Sequence, residues 1–280
     1  MAAMQEIRRG VAPAKEATIL QVFLQACGYD VNPDGDFGSG TETALKKFQA
    51  DHELRPDGEA GQKTWTALFA LQPQLLQQIS AKWLQQSEIN AVAEKMDLEV
   101  PLVRTVYAVE SGGIGFIGLK PKILFEGHVF WAELKAAGLD PRAHAAGNED
   151  ILFEKWDKRF YQGGLAEFTR LERARRIAEA PALRSASWGL FQVMGQNAEW
   201  LGYADVRALV AAMENREADH LESFGRFIQK KKRNGTPLIE LLRAHDWAGF
   251  AEGYNGASFK KNQYDTKLAE AYERYAALPV

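Results

Sequence analysis

The sequence predicts a mainly α chain: a small three-helix module, then a larger helical domain with a short β element. Three observations carry this. Apolar residues recur at three- and four-residue spacing through most segments, the period of a helix with one buried face. A motif, P-D-G-x-x-G-x-x-T-x-T-A-L, occurs twice before residue 70. One short apolar run, at residues 122–125, reads as a strand or hairpin arm. With 280 residues, 46% hydrophobic and 25% charged, the chain suits one large or two modest domains.

Residues 1–16 read as a loose arm. Ile19, Leu20, Phe23 and Leu24 then fall at helical spacing. The first motif copy occupies residues 33–45 and the second residues 56–68. In each, Asp-Gly makes a turn, the next glycine allows a second tight step, and Thr or its neighbour caps a helix. Ala44, Leu45 and Phe48 give the first of these helices its apolar face; Trp65, Leu68 and Phe69 give the second. The result is a module of about 60 residues, near the lower limit for independent folding. Pro73 marks its end. These features place a first domain at 1–72 (core 17–70), a helical connector at 73–84 and a second domain at 85–280. Ser87 is positioned to cap the stripe Ile89, Val92, Ala93 and Met96.

The second domain is organised around residues 101–113, PLVRTVYAVESGG. Pro101 suits a first helical turn, and Gly112 and Gly113 stop the helix. Val103, Val106, Tyr107 and Glu110 share one face, apolar until its last member. Glu110 either turns to solvent past the helix end or stays on the buried stripe, where a carboxyl is held protonated as a general acid requires. Glu126 and His128 follow the strand. A metal site needs three or four ligands, and no matching set lies nearby. Glu126 is a second active-site carboxylate or a structural partner. Residues 138–163 read as loop. Arg170, Arg173, Arg175 and Arg176 form a solvated helix face or a hold for an anionic polymer, and residues 185–195 a buried helix start. Helices follow at 205–213 and 214–233, the latter ending in a basic run. Thr236-Pro237 starts another helix, Asp246 caps the next, residues 253–256 turn tightly, and a last helix spans 258–277.

Net charge of −3 and a pI near 6.0 give no basic field for nucleic acid. One cysteine, Cys27, excludes an intrachain disulfide. The start has no apolar core of signal-peptide length, and no run is long enough to span a membrane. No cofactor or metal is implied.

Residues 17–70 resemble the peptidoglycan-binding domain 1 family, on CGYDVNPDGDFGSGTETALKKFQ and PDGEAGQKTWTAL. The resemblance implies a wall-binding module without chemistry, its groove around Phe37, Thr41 and Trp65. Three polar islands, Glu110-Ser111-Gly112, Ser187-x-Gly189-Leu190-x-Gln192 and Tyr254-Asn255-Gly256, resemble the E-S, G-L-x-Q and Y-N signatures of the lysozyme-like superfamily. Residues 85–278 are more closely similar to the phage-type N-acetylmuramidases, on AVESGG, PKILFEGHVFW, SASWGLFQVMG, GYNG and QYDTKLAEAY. This implies a lysozyme-like catalytic domain in a modular endolysin that cleaves the β-1,4 bond between N-acetylmuramic acid and N-acetylglucosamine. Glu110 matches the catalytic glutamate, with Glu126 offered as the second carboxylate. Ser111, Ser187, Trp188, Gln192, Tyr254 and Asn255 would line the cleft. The alternatives are a lytic transglycosylase giving 1,6-anhydro ends and a non-catalytic murein-binding protein. The expected partner is peptidoglycan, with no nucleic acid, no membrane insertion and a monomeric state. The protein is expected to be made in the host cytoplasm and to act in the periplasm once the membrane is permeabilised.

Overall fold

The computed structural model describes residues 4–111 and 113–278. The helices are α1 (Ala14–Ala26), α2 (Ser39–Asp51), α3 (Gln62–Leu71), α4 (Pro73–Ser80), α5 (Gln86–Met96), α6 (Val100–Glu110), α7 (Gly127–Ala136), α8 (Ala166–Ile177), α9 (Glu179–Arg184), α10 (Val206–Asn215), α11 (Glu217–Lys230), α12 (Leu238–Arg243), α13 (Trp247–Asn255) and α14 (Tyr264–Ala276). The strands are short: β1 (Phe116–Ile117), β2 (Lys120–Pro121), β3 (Ile123–Phe125), β4 (Ala186–Trp188), β5 (Val193–Met194), β6 (Lys232–Arg233) and β7 (Thr236–Pro237). By internal packing the chain forms two compact units. One is Met1–Lys82 with Phe116–Ser187; the other is Trp83–Gly115 with Trp188–Val280.

The motif repeat has a physical cause that lies outside the motif. Gln21 on α1 is buried, and its Oε1 accepts the Gly35 amide at 2.9 Å. Its Nε2 faces Asp34 Oδ1 (2.8 Å), the Asp36 carbonyl (3.0 Å) and Thr41 Oγ1 (2.9 Å). Gln49 on α2 repeats the arrangement. It accepts from the Gly58 amide (3.0 Å) and donates toward Asp57 Oδ1 (3.0 Å), the Glu59 carbonyl (2.9 Å) and Thr64 Oγ1 (3.2 Å). Each Asp-Gly loop is therefore clasped around a buried amide from the helix before it. Gly35 and Gly58 have φ of +82° and +78°, which glycine adopts without strain.

Several expectations change here. Residues 5–7, expected in a loose arm, are tied down: Ile7 is buried and pairs with Ala60, and the Trp65 indole donates to the Gln5 carbonyl at 3.2 Å. Gly38 and Gly61 precede α2 and α3 without a side-chain cap, so Thr41 and Thr64 serve the clasp instead. Phe37, Thr41 and Trp65 are all buried, 3–4% exposed, and offer no surface to a wall polymer. They are what the module packs and hydrogen-bonds around. A surface recess of the module lies elsewhere, lined by Tyr29, Asp30, Ser39, Thr43 and Lys47.

In the rest of this unit, β1 and β2 form a small antiparallel ladder, Phe116 opposite Pro121. β3 lies beside β4, so the residues expected to open a buried helix at 185 run as a strand instead. Arg170 is not on a solvated face. It is buried with Glu167, Nη1 to Oε2 at 2.7 Å, and donates to the Phe125 and Asp150 carbonyls. Glu167 also accepts the amides of Phe125, Gln162 and Gly163. A buried ion pair is tolerable when its remaining lone pairs are met in this way.

In the other unit, α6 packs on α14 and α5, and α13 on α12 and α14. Glu88 accepts the Gln85 amide at 3.0 Å, so α5 starts before Ser87. The basic run after α11 enters a hairpin, not a helix: β6 pairs with β7, Lys232 opposite Pro237. Asn234 and Gly235, at φ +49° and +87°, make its turn. Gly253, Tyr254 and Asn255 are the last turn of α13, and the chain turns only at Gly256. Asp246 caps α13 as expected, accepting the Gly249 amide at 2.8 Å. Gly113 has φ +74°; Gly112, expected beside it as a helix stop, lies outside the described residues.

Gln49→Leu keeps the size of the side chain and removes the clasp, leaving the Gly58 amide unpaired. We expect a loss of about 3 kcal/mol in denaturant unfolding. An unchanged midpoint would show that the clasp is decorative.

Candidate active site

Helix α6 presents Leu102, Val103, Thr105 and Val106 to the interior and ends on Glu110. Burial removes water from the carboxyl and pushes its pKa up to about 7, against the partial opposition of Asn255 and of the Lys267 charge. Asn255, the last residue of α13, aims its Nδ2 at both carboxyl oxygens, 3.1 Å from Oε1 and 3.3 Å from Oε2. The neighbouring Tyr254 donates its hydroxyl to the Phe191 carbonyl at 3.3 Å. The phenol's own pKa is raised, by burial first and then by the Glu110 charge. The E-S and Y-N islands thus meet at one carboxyl, and the G-L-x-Q island is one hydrogen bond away.

That third island is a tight turn. Gly189 and Gln192 both have positive φ, +72° and +50°. The Gln192 side chain closes the turn by donating to the Gly189 carbonyl at 2.8 Å. Phe191 stacks on Phe224 of α11, ring centroids 4.3 Å apart. With Val193, Met194, Phe227 and Tyr254, Phe191 and Gln192 line a cavity of about 290 Å³. A carboxyl that carries a proton near neutrality, joined by a hydrogen bond to Asn255, the residue next to Tyr254 in the cavity wall, suits acid catalysis on an uncharged polar substrate.

A family model for N-acetylmuramidase matches residues 99–276, more than half of the chain. The chain belongs to the N-acetylmuramidase family. A second model, for a peptidoglycan binding domain, matches residues 14–68. The crystal structure of the Burkholderia AP3 phage endolysin is 38% identical, with a TM-score of 0.67, over 98% of this chain and 100% of that one. No curated protein matches. The muramidase is accordingly a peptidoglycan-degrading glycoside hydrolase.

The remaining expected site residues of the muramidase fall in different roles. Ser111 is buried and ends α6: its hydroxyl donates to the Tyr107 carbonyl and accepts the Gly113 amide at 2.9 Å. Trp188 is 1% exposed, so it packs the interior and cannot lie against a sugar face. Ser187 belongs to the first unit and is buried, with its hydroxyl 3.5 Å from the Leu124 carbonyl. Glu126 is also in that unit. The Tyr161 hydroxyl donates to it, and His128 Nδ1 stands 3.4 Å from its Oε2. Among the described residues, no group of three His, Cys, Asp or Glu is placed to hold a metal, and no helix is long and apolar enough to cross a membrane. Lys267, Phe224 and Phe227 were missed by sequence reasoning. They sit on α14 and α11, where a lysine reads as surface and phenylalanines read as core.

The raised pKa of Glu110 has a stability consequence. Between the unfolded value, near 4.5, and about 7, the folded protein binds the extra proton, so stability falls as pH rises through that window. Above it, the ionised carboxylate costs about 3 kcal/mol. Glu110→Gln removes this cost. The variant is expected to unfold at a higher temperature than wild type at pH 8 and at an equal one at pH 4. Parallel curves across that range would contradict the buried-carboxyl account.

Proposed function

We propose that this muramidase cleaves the β-1,4 bond between N-acetylmuramic acid and N-acetylglucosamine, with Glu110 as the general acid. The observation that carries the proposal is the Glu110 carboxyl, pushed to about 7 by burial and held by Asn255. As the glycosidic bond stretches and oxocarbenium character develops, the protonated carboxyl hands its proton to the leaving oxygen. Asn255 then donates to the carboxylate left behind, so the amide stabilises charge that appears during the reaction. Gln192 and Tyr254 stand at the rim of the cavity to meet the sugar's hydroxyl and acetamido groups. Glu126 remains the candidate for the second carboxylate.

The match along both chains to the phage endolysin supports a lytic role. In this proposal residues 14–68 hold the muramidase to the wall, residues 99–276 cut it, and the protein reaches peptidoglycan in the periplasm once the inner membrane is breached. It works as a monomer, without a nucleic-acid partner.

Purified sacculi digested with the protein should release muropeptides with reducible N-acetylmuramic ends, read by mass spectrometry before and after borohydride. Reducible N-acetylglucosamine ends would place the cut at the other bond, and 1,6-anhydro ends would replace water with the sugar's own hydroxyl. Glu110→Gln should lower the rate by about 100- to 10,000-fold, the usual contribution of a general acid. Wild-type lysis of permeabilised cells by that variant would end the assignment. Glu126→Gln is expected to cost about 100-fold in the same assay. Retention of full rate would remove Glu126 from the chemistry.

A further inference from the structure

His220 and Glu217 are polar residues on α11, each 1% exposed, and neither has a part in the proposed chemistry. Both ring nitrogens of His220 are engaged. Nδ1 accepts the Leu190 amide at 3.1 Å, so it carries no hydrogen. The proton therefore sits on Nε2, which donates to the Met213 carbonyl of α10 at 2.7 Å. One turn earlier, Glu217 accepts the Leu84 amide at 2.9 Å through Oε2 and the Gly115 amide at 3.1 Å through Oε1.

These two side chains reach the two loops that border Glu110. Gly115 lies just beyond α6, which ends on Glu110, and Leu190 is inside the turn that carries Phe191 and Gln192. The packing is close on both sides. A methyl group at Gly115 would stand 2.8 Å from the Glu217 side chain and 2.9 Å from His220 Nδ1; one at Gly189 would stand 2.8 Å from the same nitrogen. The turn it holds is strained, since Gln192 takes a left-handed backbone that non-glycine residues avoid. Such a turn persists where its surroundings fix it, and the His220 bond to Leu190 is one of the fixings. From Leu190 the path to the acid is short: the Phe191 carbonyl takes the Tyr254 hydroxyl, and Asn255, the next residue, takes Glu110.

We propose that neutral His220, with Glu217, is a positioning residue that fixes the 189–192 turn and thereby sets Tyr254 and Asn255 against Glu110. The proposal rests on the muramidase reading for its kinetic consequence and on the hydrogen bonds alone for its structural one.

Two variants separate the roles of the two nitrogens. Asparagine places an oxygen where Nδ1 stands and loses the Met213 bond. Glutamine places an amide where Nε2 stands and loses the acceptor for Leu190. His220→Asn should keep kcat within about threefold of wild type, while His220→Gln should lose roughly 100-fold with KM little changed, the cost of a small misplacement at the reacting groups. Thermal melts put the two variants on a common stability scale. Amide hydrogen exchange should show Leu190 protected in wild type and His220→Asn and unprotected in His220→Gln. Equal kinetic losses in both variants, or losses that follow melting temperature, would overturn the proposal. So would a fully active His220→Gln with an unprotected Leu190 amide. If the wild-type protein released no muropeptides, the muramidase reading would fail by itself. The exchange contrast at Leu190 would still decide whether His220 holds the turn.

Discussion

The unit that carries Glu110 is built around an unfavourable placement. A carboxyl at the end of an apolar helix stripe loses water, and its charged form pays for that loss in free energy. Asn255 returns part of it through one amide shared between the two oxygens, and Lys267 adds a distant positive charge. Neither restores an ordinary carboxylate. The balance leaves a group that holds its proton near neutrality yet has a donor waiting once the proton leaves. The packing of α6 on α14 and the last turn of α13 sets this balance, so the catalytic property is a property of helix packing.

Glu167 in the other unit shows the opposite solution. It is the more deeply buried of the two, 0% exposed against a half-buried Glu110, yet three backbone amides and the Arg170 guanidinium meet it. There the surroundings supply enough donors for a charge, and the residue serves as a structural pin for β3 and the loops around it. The two glutamates differ in the number of donors aimed at them, not in depth alone. That is why burial by itself does not mark an acid catalyst.

The mainly helical architecture was legible because helical periodicity survives in α1, α5, α6 and α14. Glu110 was legible because a lone carboxylate interrupts a stripe. The clasps were not: Gln21 and Gln49 look like any polar residue on an amphipathic helix, and only the folded chain reveals that each points inward. Thr41, Phe37 and Trp65 were recognised as special for the wrong reason, since a repeated position can recur because the core needs it. Trp188 was expected in the cleft through the family resemblance of its island, and nothing local in the sequence marks it as the 1% exposed residue it is. The basic run before Asn234-Gly235 suggested a helix end, although Asn-Gly is also the signature of a hairpin turn. His220 had no signal at all. Its role comes from a backbone amide thirty positions away in sequence.

The two clasps are alike in chemistry and unlike in reach. Gln21 finds its aspartate 13 residues on, Gln49 only 8 residues on. The grip is local to the Asp-Gly loop, so the chain between helix and grip is not measured by it and can lengthen at little entropic cost. In the first copy that slack includes Gly28, Tyr29 and Asp30, which form one wall of the module's surface recess. Duplication has thus supplied two equivalent anchors while leaving the loop ahead of each to vary. The outer contour of the module can be reshaped by insertion without disturbing either clasp.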